Sequence, residues 1–124
     1  MTMRLFLTVV VVTSVTLVVI VLRSPDLVLA DGAWERVGPE GGFVWVMGIS
    51  PSFERDRTVF AGTDGGGVFR STDGGETWQK QDQGLTTRTV PTLVVSPGFE
   101  QDSTIFAGSP VGIFRSVDRG DTWV

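Results

Sequence analysis

The sequence predicts an all-β protein: two copies of a unit of four short strands, preceded by an apolar N-terminal helix. Three observations carry that expectation. A block of the chain returns after 45–46 residues. Within each copy the segments are short, rich in β-branched and aromatic residues, and divided by Gly, Pro and Asp. Beyond residue 30 no stretch has the 3.6-residue apolar spacing or the caps of a helix. Sixteen Gly and six Pro among 124 residues suit a turn-rich chain.

The first element is the N-terminal helix. Met1-Thr2-Met3-Arg4 is a short positive opening, and Leu5 to Leu22 is uncharged and dominated by Val and Leu. Eighteen residues exceed the usual signal-peptide core and reach the length of a spanning helix. Val28-Leu29-Ala30 offers a cleavage position after Ala30. Residues 1–30 are therefore expected to be a signal peptide or an uncleaved membrane anchor. Both readings place residues 31–124 outside the cytoplasm. Without Arg4, Arg23 and Asp26, that part keeps eight basic and thirteen acidic residues. A net negative surface argues against nucleic acid or an anionic membrane as a partner. Any membrane contact is expected through the N-terminal segment alone.

The repeat supplies the remaining elements. Ser50 to Thr63 returns as Ser96 to Ser109 with nine of fourteen positions identical. Gly67 to Trp78 returns as Gly112 to Trp123 with eight of twelve identical. Between the blocks, Asp64-Gly65-Gly66 is replaced by the shorter Pro110-Val111, which marks a loop. In the first copy, strands are expected at 45–50, 58–62, 67–72 and 77–81. In the second they begin at Val90 to Ser96. Trp34-Glu35-Arg36-Val37 looks like a fourth strand lacking its first three. Four short strands in a period of this length match one propeller blade. The expected organisation is a final strand of a closing blade at 34–37, a blade at 44–81 and a blade at 88–124.

Ser71-x-Asp73-x-Gly75-x-Thr77-Trp78 and Ser116-x-Asp118-x-Gly120-x-Thr122-Trp123 both fit the Asp-box pattern. On these residues, over roughly 34–124, the chain resembles the Asp-box (bacterial neuraminidase repeat) β-propellers. These include sialidases, xyloglucanases, the sortilin luminal domain and the photosystem II assembly-factor propellers. The resemblance implies a hairpin between the third and fourth strands of each blade, placed at the periphery and away from the binding face.

The residue types account for such a turn. A short Asp side chain can accept backbone N–H groups across it, which Asp73 and Asp118 are placed to do. Gly75 and Gly120 would supply positive φ. Trp78 and Trp123 would cover an edge with apolar area. No alternating Asp-x-Asp-x-Asp loop is present, so the two aspartates are read as structural and not as calcium ligands or acids. Arg70 and Arg115 precede the two boxes. Because the arginine recurs, it is read as a scaffold contact, ion-paired with Asp56 and Asp102. Arg119-Gly120-Asp121 spells an integrin-type tripeptide, but its glycine is the box glycine and the match is accidental.

Specificity is expected where the copies differ. By propeller topology, the loops 38–43, 64–66, 82–88 and 110–111 share one face. Glu40, Phe43, Trp45, Asp64 and Arg88 are the candidate ligand contacts there. The glycine run at 65–67 is not a phosphate loop, since no Lys-Ser/Thr and no helix follow.

The chemistry available is narrow. With no Cys, His or Tyr, this chain has no thiolate, imidazole or phenolic nucleophile. A sialidase mechanism with a Tyr nucleophile is excluded for these residues. No catalytic residue, metal site or cofactor is assigned. Closed propellers need four to eight blades, roughly 180–360 residues at this period. The chain is thus expected to be the N-terminal piece of a longer protein, with self-association into a ring as the alternative. The expected function is an exported non-catalytic module that binds a protein or glycan or helps assemble a complex. The alternative is the N-terminal part of a glycoside hydrolase whose catalytic acids lie beyond Val124 or at Glu40 and Asp64.

Overall fold

The computed structural model describes residues 34–124. The apolar segment and the expected cleavage position lie outside the described residues. Residues 37–124 form one compact unit. Among the described residues no helix is long and apolar enough to cross a membrane.

The unit is mostly β. Its first sheet holds four antiparallel strands in chain order: β1 (Phe43–Ile49), β2 (Val59–Asp64), β3 (Val68–Ser71) and β4 (Gln79–Lys80). Its second holds β5 (Thr92–Val95), β6 (Ile105–Ser109) and β7 (Gly112–Ser116). In the first sheet Arg70 stands opposite Gln79. In the second, Arg115 exchanges both backbone hydrogen bonds with Val124, at 2.8 and 3.0 Å. Residue 124 thus takes the place that Gln79 has in the first copy. Among the described residues the two sheets do not close into a ring.

Three expectations are corrected. Residues 34–37 carry no regular structure, and Trp34 is fully exposed. A strand needs a neighbour for its N–H and C=O groups, and no described strand pairs with this one. The second copy's first strand starts at Thr92 and not Val90, because Pro91 has no N–H to give the ladder. In β1 the equivalent position is Trp45, and there the register slips between Val44 and Val46. Both copies therefore break their ladder at the same place, one by a bulge and one by a proline.

The third correction concerns helix. Each copy has a single helical turn, α1 (Phe53–Asp56) and α2 (Phe99–Asp102). Four residues are too few to show periodicity. Each turn is closed by a left-handed residue, Arg57 or Ser103, both at φ 54°. Asp56 and Asp102 lock these loops rather than pairing with Arg70 and Arg115. Ser50 Oγ donates to Asp56 at 2.6 Å, and the N–H of Thr58 donates to its other oxygen at 2.9 Å. Ser96, Asp102 and Thr104 repeat both bonds at the same distances. The only cation near Asp56 among the described residues is Arg119, at 3.9 Å.

The sheets pack face to face. Register puts Gly48, Phe60 and Arg70 in one row across β1, β2 and β3. That row looks onto the second sheet, where Leu93, Ile105 and Ala107 are buried with Phe60, Val68, Val90, Phe99 and Trp123. Each fully buried Val, Ile or Phe contributes about 1.5–3 kcal/mol. The Phe60 and Phe99 rings meet edge to face at 5.9 Å. Glycine sets the spacing, since a Cβ on Gly62 would lie 2.4 Å from the Val90 carbonyl oxygen. The equivalent row of the second sheet, Val94, Phe106 and Arg115, faces outward and is exposed.

Candidate functional site

Two regions hold the residues singled out by sequence: the turns 71–78 and 116–123, and the loops at one end of the first sheet.

The two turns have one hydrogen-bond pattern. Ser71 Oγ accepts the Gly75 N–H at 2.8 Å and donates to Asp73 at 2.7 Å. The same Asp73 oxygen accepts the Thr77 N–H at 2.9 Å, while its second oxygen accepts the Thr77 hydroxyl. Ser116, Gly120, Asp118 and Thr122 repeat the set at 2.8, 2.7, 2.9 and 2.5 Å. Ser71 and Ser116 are buried. Gly75 and Gly120 have φ of 98° and 92°, in the region that favours glycine. The residue before each, Gly74 or Arg119, donates its N–H to Arg57 or Ser103 and so ties the turn to the helical loop.

These bonds fix the charge of the aspartates. The Thr77 hydroxyl and N–H, followed by Ser71, hold the Asp73 carboxyl far below the usual carboxylate range. Asp118 is lowered to about 2, first by the Thr122 hydroxyl and then by its N–H. Asp102 is lowered too, first by Ser96. Both oxygens of Asp73 and of Asp118 are occupied by their own turn. Among the described residues no group of three or more Asp or Glu is placed to hold a metal ion.

The tryptophans differ between copies. Trp78 is half-buried and donates its indole N–H to Gly75 of its own turn at 3.0 Å. Trp123 is buried, and its indole donates to the Gln81 carbonyl, at the end of the first sheet, at 3.0 Å. Its backbone N–H donates to Gln83 at 2.9 Å. Arg70 also crosses between sheets: it meets Asp121 at 2.7 Å and the Arg119 carbonyl at 2.8 Å. The expected partner, Asp56, lies in Arg70's own repeat and is engaged by Ser50 and Thr58. Arg115 is exposed.

The end loops bring part of the candidate set together. Phe43 stands opposite Asp64 in the β1–β2 ladder. The Arg88 carbonyl accepts the N–H groups of Gly65 and Gly67 at 2.9 and 2.8 Å. Thr89 Oγ1 donates to Asp64 at 3.0 Å. The loop from Glu40 lies against this cluster so closely that a Cβ on Gly42 would be 2.0 Å from the Asp64 carbonyl oxygen. Glu40, Phe43, Asp64 and Arg88 are all exposed there. Trp45, at the bulge, is also exposed. One Asp64 oxygen is taken by Thr89, and neither Asp64 nor Glu40 is buried as a glycosidase proton donor would be.

Sequence reasoning missed the Ser–Asp–Thr clasps of the helical loops. Their signal was present in the recurring Ser-Pro-x-Phe-Glu-x-Asp-x-Thr of both copies. It also missed the pairing of Arg70 with Asp121, since a contact between copies leaves no spacing within one copy.

No protein-family model matches the chain. No curated protein matches it either.

Proposed function

We propose that this chain is an exported, non-catalytic module of the Asp-box β-propeller type, which binds a protein or glycan or helps assemble a complex. One observation carries the reading. Two stacked antiparallel sheets end their hairpins in turns with the same bonds at the same positions, while loop 38–43, the 64–66 turn and the segment at Arg88, which differ from their counterparts in the other copy, meet at one end of the first sheet. Positions that repeat build the scaffold, and a ligand is read by positions that do not. Glu40, Asp64 and Arg88 offer charges of both signs, and Phe43 and Trp45 offer exposed rings on which a sugar or an apolar side chain can rest.

Binding to printed sialylated glycans and xyloglucan oligosaccharides, and hydrolysis of aryl glycosides, test the reading together. Retention without turnover, lost in the Asp64→Ala, Arg88→Ala and Trp45→Ala variants, supports a binding module. Turnover that disappears on Glu40→Gln or Asp64→Asn overturns it in favour of a hydrolase.

A further inference from the structure

We infer that Asp64-Gly65, at the end of β2, is a site of spontaneous modification, where the aspartate isomerises to isoaspartate. The same dipeptide at Asp73-Gly74 is held in check by its turn. This inference rests on hydrogen bonds and exposure at the two sites and not on the ligand reading.

Isomerisation begins when the backbone nitrogen after an aspartate attacks its side chain. A following glycine favours the step, since no Cβ crowds the nitrogen. Among the described residues two aspartates are followed by glycine, Asp64 and Asp73. At the first, the Gly65 nitrogen attacks Cγ of the protonated Asp64 carboxyl. An N–Cγ bond forms, and the nitrogen's proton leaves with the carboxyl OH as water. Water then opens the succinimide ring. Cleavage of the N–Cγ bond restores Asp64, whereas cleavage between the nitrogen and the main-chain carbonyl gives isoaspartate. No oxidant, cofactor or enzyme is required.

Local geometry separates the two sites. Both glycine N–H groups are donated to a carbonyl, Gly65 to Arg88 and Gly74 to Arg57, each at 2.9 Å. The carboxylates differ. That of Asp73 accepts from Ser71 Oγ and from both the N–H and the hydroxyl of Thr77. These bonds keep it charged and oppose the neutral form from which water leaves. Among the described residues the Asp64 carboxylate accepts one hydrogen bond, from Thr89 Oγ1 at 3.0 Å. Cover differs too. Asp73 and Gly74 are half-buried, and a Cβ on Gly74 would lie 2.6 Å from the Arg57 guanidinium. Asp64 and Gly65 are exposed, and a Cβ on Gly65 would meet nothing within 4 Å. Isomerisation adds a carbon to the main chain just after the residue that pairs with Phe43 and Thr89, and before the glycines bonded to Arg88. It therefore loosens the joint between the sheets at that end.

The full-length chain is kept at neutral pH and body temperature for weeks and then digested. Electron-transfer fragmentation of the peptides distinguishes isoaspartate from aspartate at each position. Isoaspartate at 64 should exceed that at 73 at least about tenfold, because reaching the reactive geometry at 73 requires breaking more bonds. Free peptides 61–68 and 70–77 serve as the reference, and in them the two sites should isomerise at similar rates. Thr77→Val, which frees one Asp73 oxygen at the surface, should raise the signal at 73 several-fold and leave that at 64 unchanged. Equal accumulation at 64 and 73 in the folded chain would overturn the inference. So would an absence of isoaspartate at 64 when its free peptide forms it, or a signal at 73 indifferent to Thr77→Val.

Discussion

The guanidinium of Arg70, on the first sheet, lies 2.7 Å from the carboxylate of Asp121, in the last turn of the second. The same guanidinium donates to the Arg119 carbonyl. One side chain thus holds a charge and a backbone acceptor of the neighbouring repeat. The Arg70 side chain is 17% exposed and that of Asp121 60%, so the two ends of the pair are not equivalent.

Arg70→Ala is expected to cost about 1–2 kcal/mol, because it removes the packed stem and leaves the carbonyl without its donor. Asp121→Asn should cost less than about 1 kcal/mol, as exposed pairs do. Urea unfolding of both variants checks the order. Equal losses would show that the ion pair alone matters.

Ser71 and Ser116 each satisfy a buried glycine N–H. Replacing either with Ala should cost about 1–3 kcal/mol by leaving that N–H unpaired. Thr77→Val, at an exposed bond to Asp73, should cost less. Thermal unfolding compared across the three variants tests the ranking.

Gly62→Ala should destabilise far more than Gly108→Ala, although the two are repeat equivalents. A Cβ at 62 meets the Val90 carbonyl at 2.4 Å, and one at 108 meets the Thr92 side chain at 3.3 Å. The expected difference is about 1–3 kcal/mol, from overpacking against backbone that cannot move aside. Chemical denaturation midpoints measure it.

Acid should weaken the fold through the two turns. The folded carboxyl of Asp118 titrates at about 2, below the ordinary Asp value near 3.9. A depressed folded value stabilises above the unfolded value and loses that contribution as pH falls through the folded one. Stability should therefore drop between pH 4 and pH 2, with Asp73 extending the loss to lower pH. Asp118→Asn should be less stable at pH 6 and show a flatter decline. Urea midpoints from pH 6 to pH 2 give the comparison.

Much of the scaffold could be read from residue types alone. The strand segments fell within a few residues of their positions because β-branched runs were bounded by Gly, Pro and Asp. The serine, aspartate and threonine of each turn sat at fixed separations that backbone bonding requires. Contacts between copies were less legible. Asp121 stands at an unspecified position of its box and in a tripeptide read as accidental, so only the stacked sheets reveal it as the partner of Arg70, and the spacing role of Gly62 depends on a carbonyl 28 residues away. The grouping of Asp64 with Arg88 arose from backbone bonds to Gly65 and Gly67, for which side-chain chemistry gives no sign.

Trp123 gives the molecule a built-in optical gauge. Of the four tryptophans, it is the only one that is buried, and its indole proton belongs to a carbonyl of the other repeat. Its emission should sit to the blue of the other three, and should move red when the sheets separate even while each hairpin persists. A single Trp123→Phe difference spectrum would isolate the docking of one repeat on the other from the formation of either.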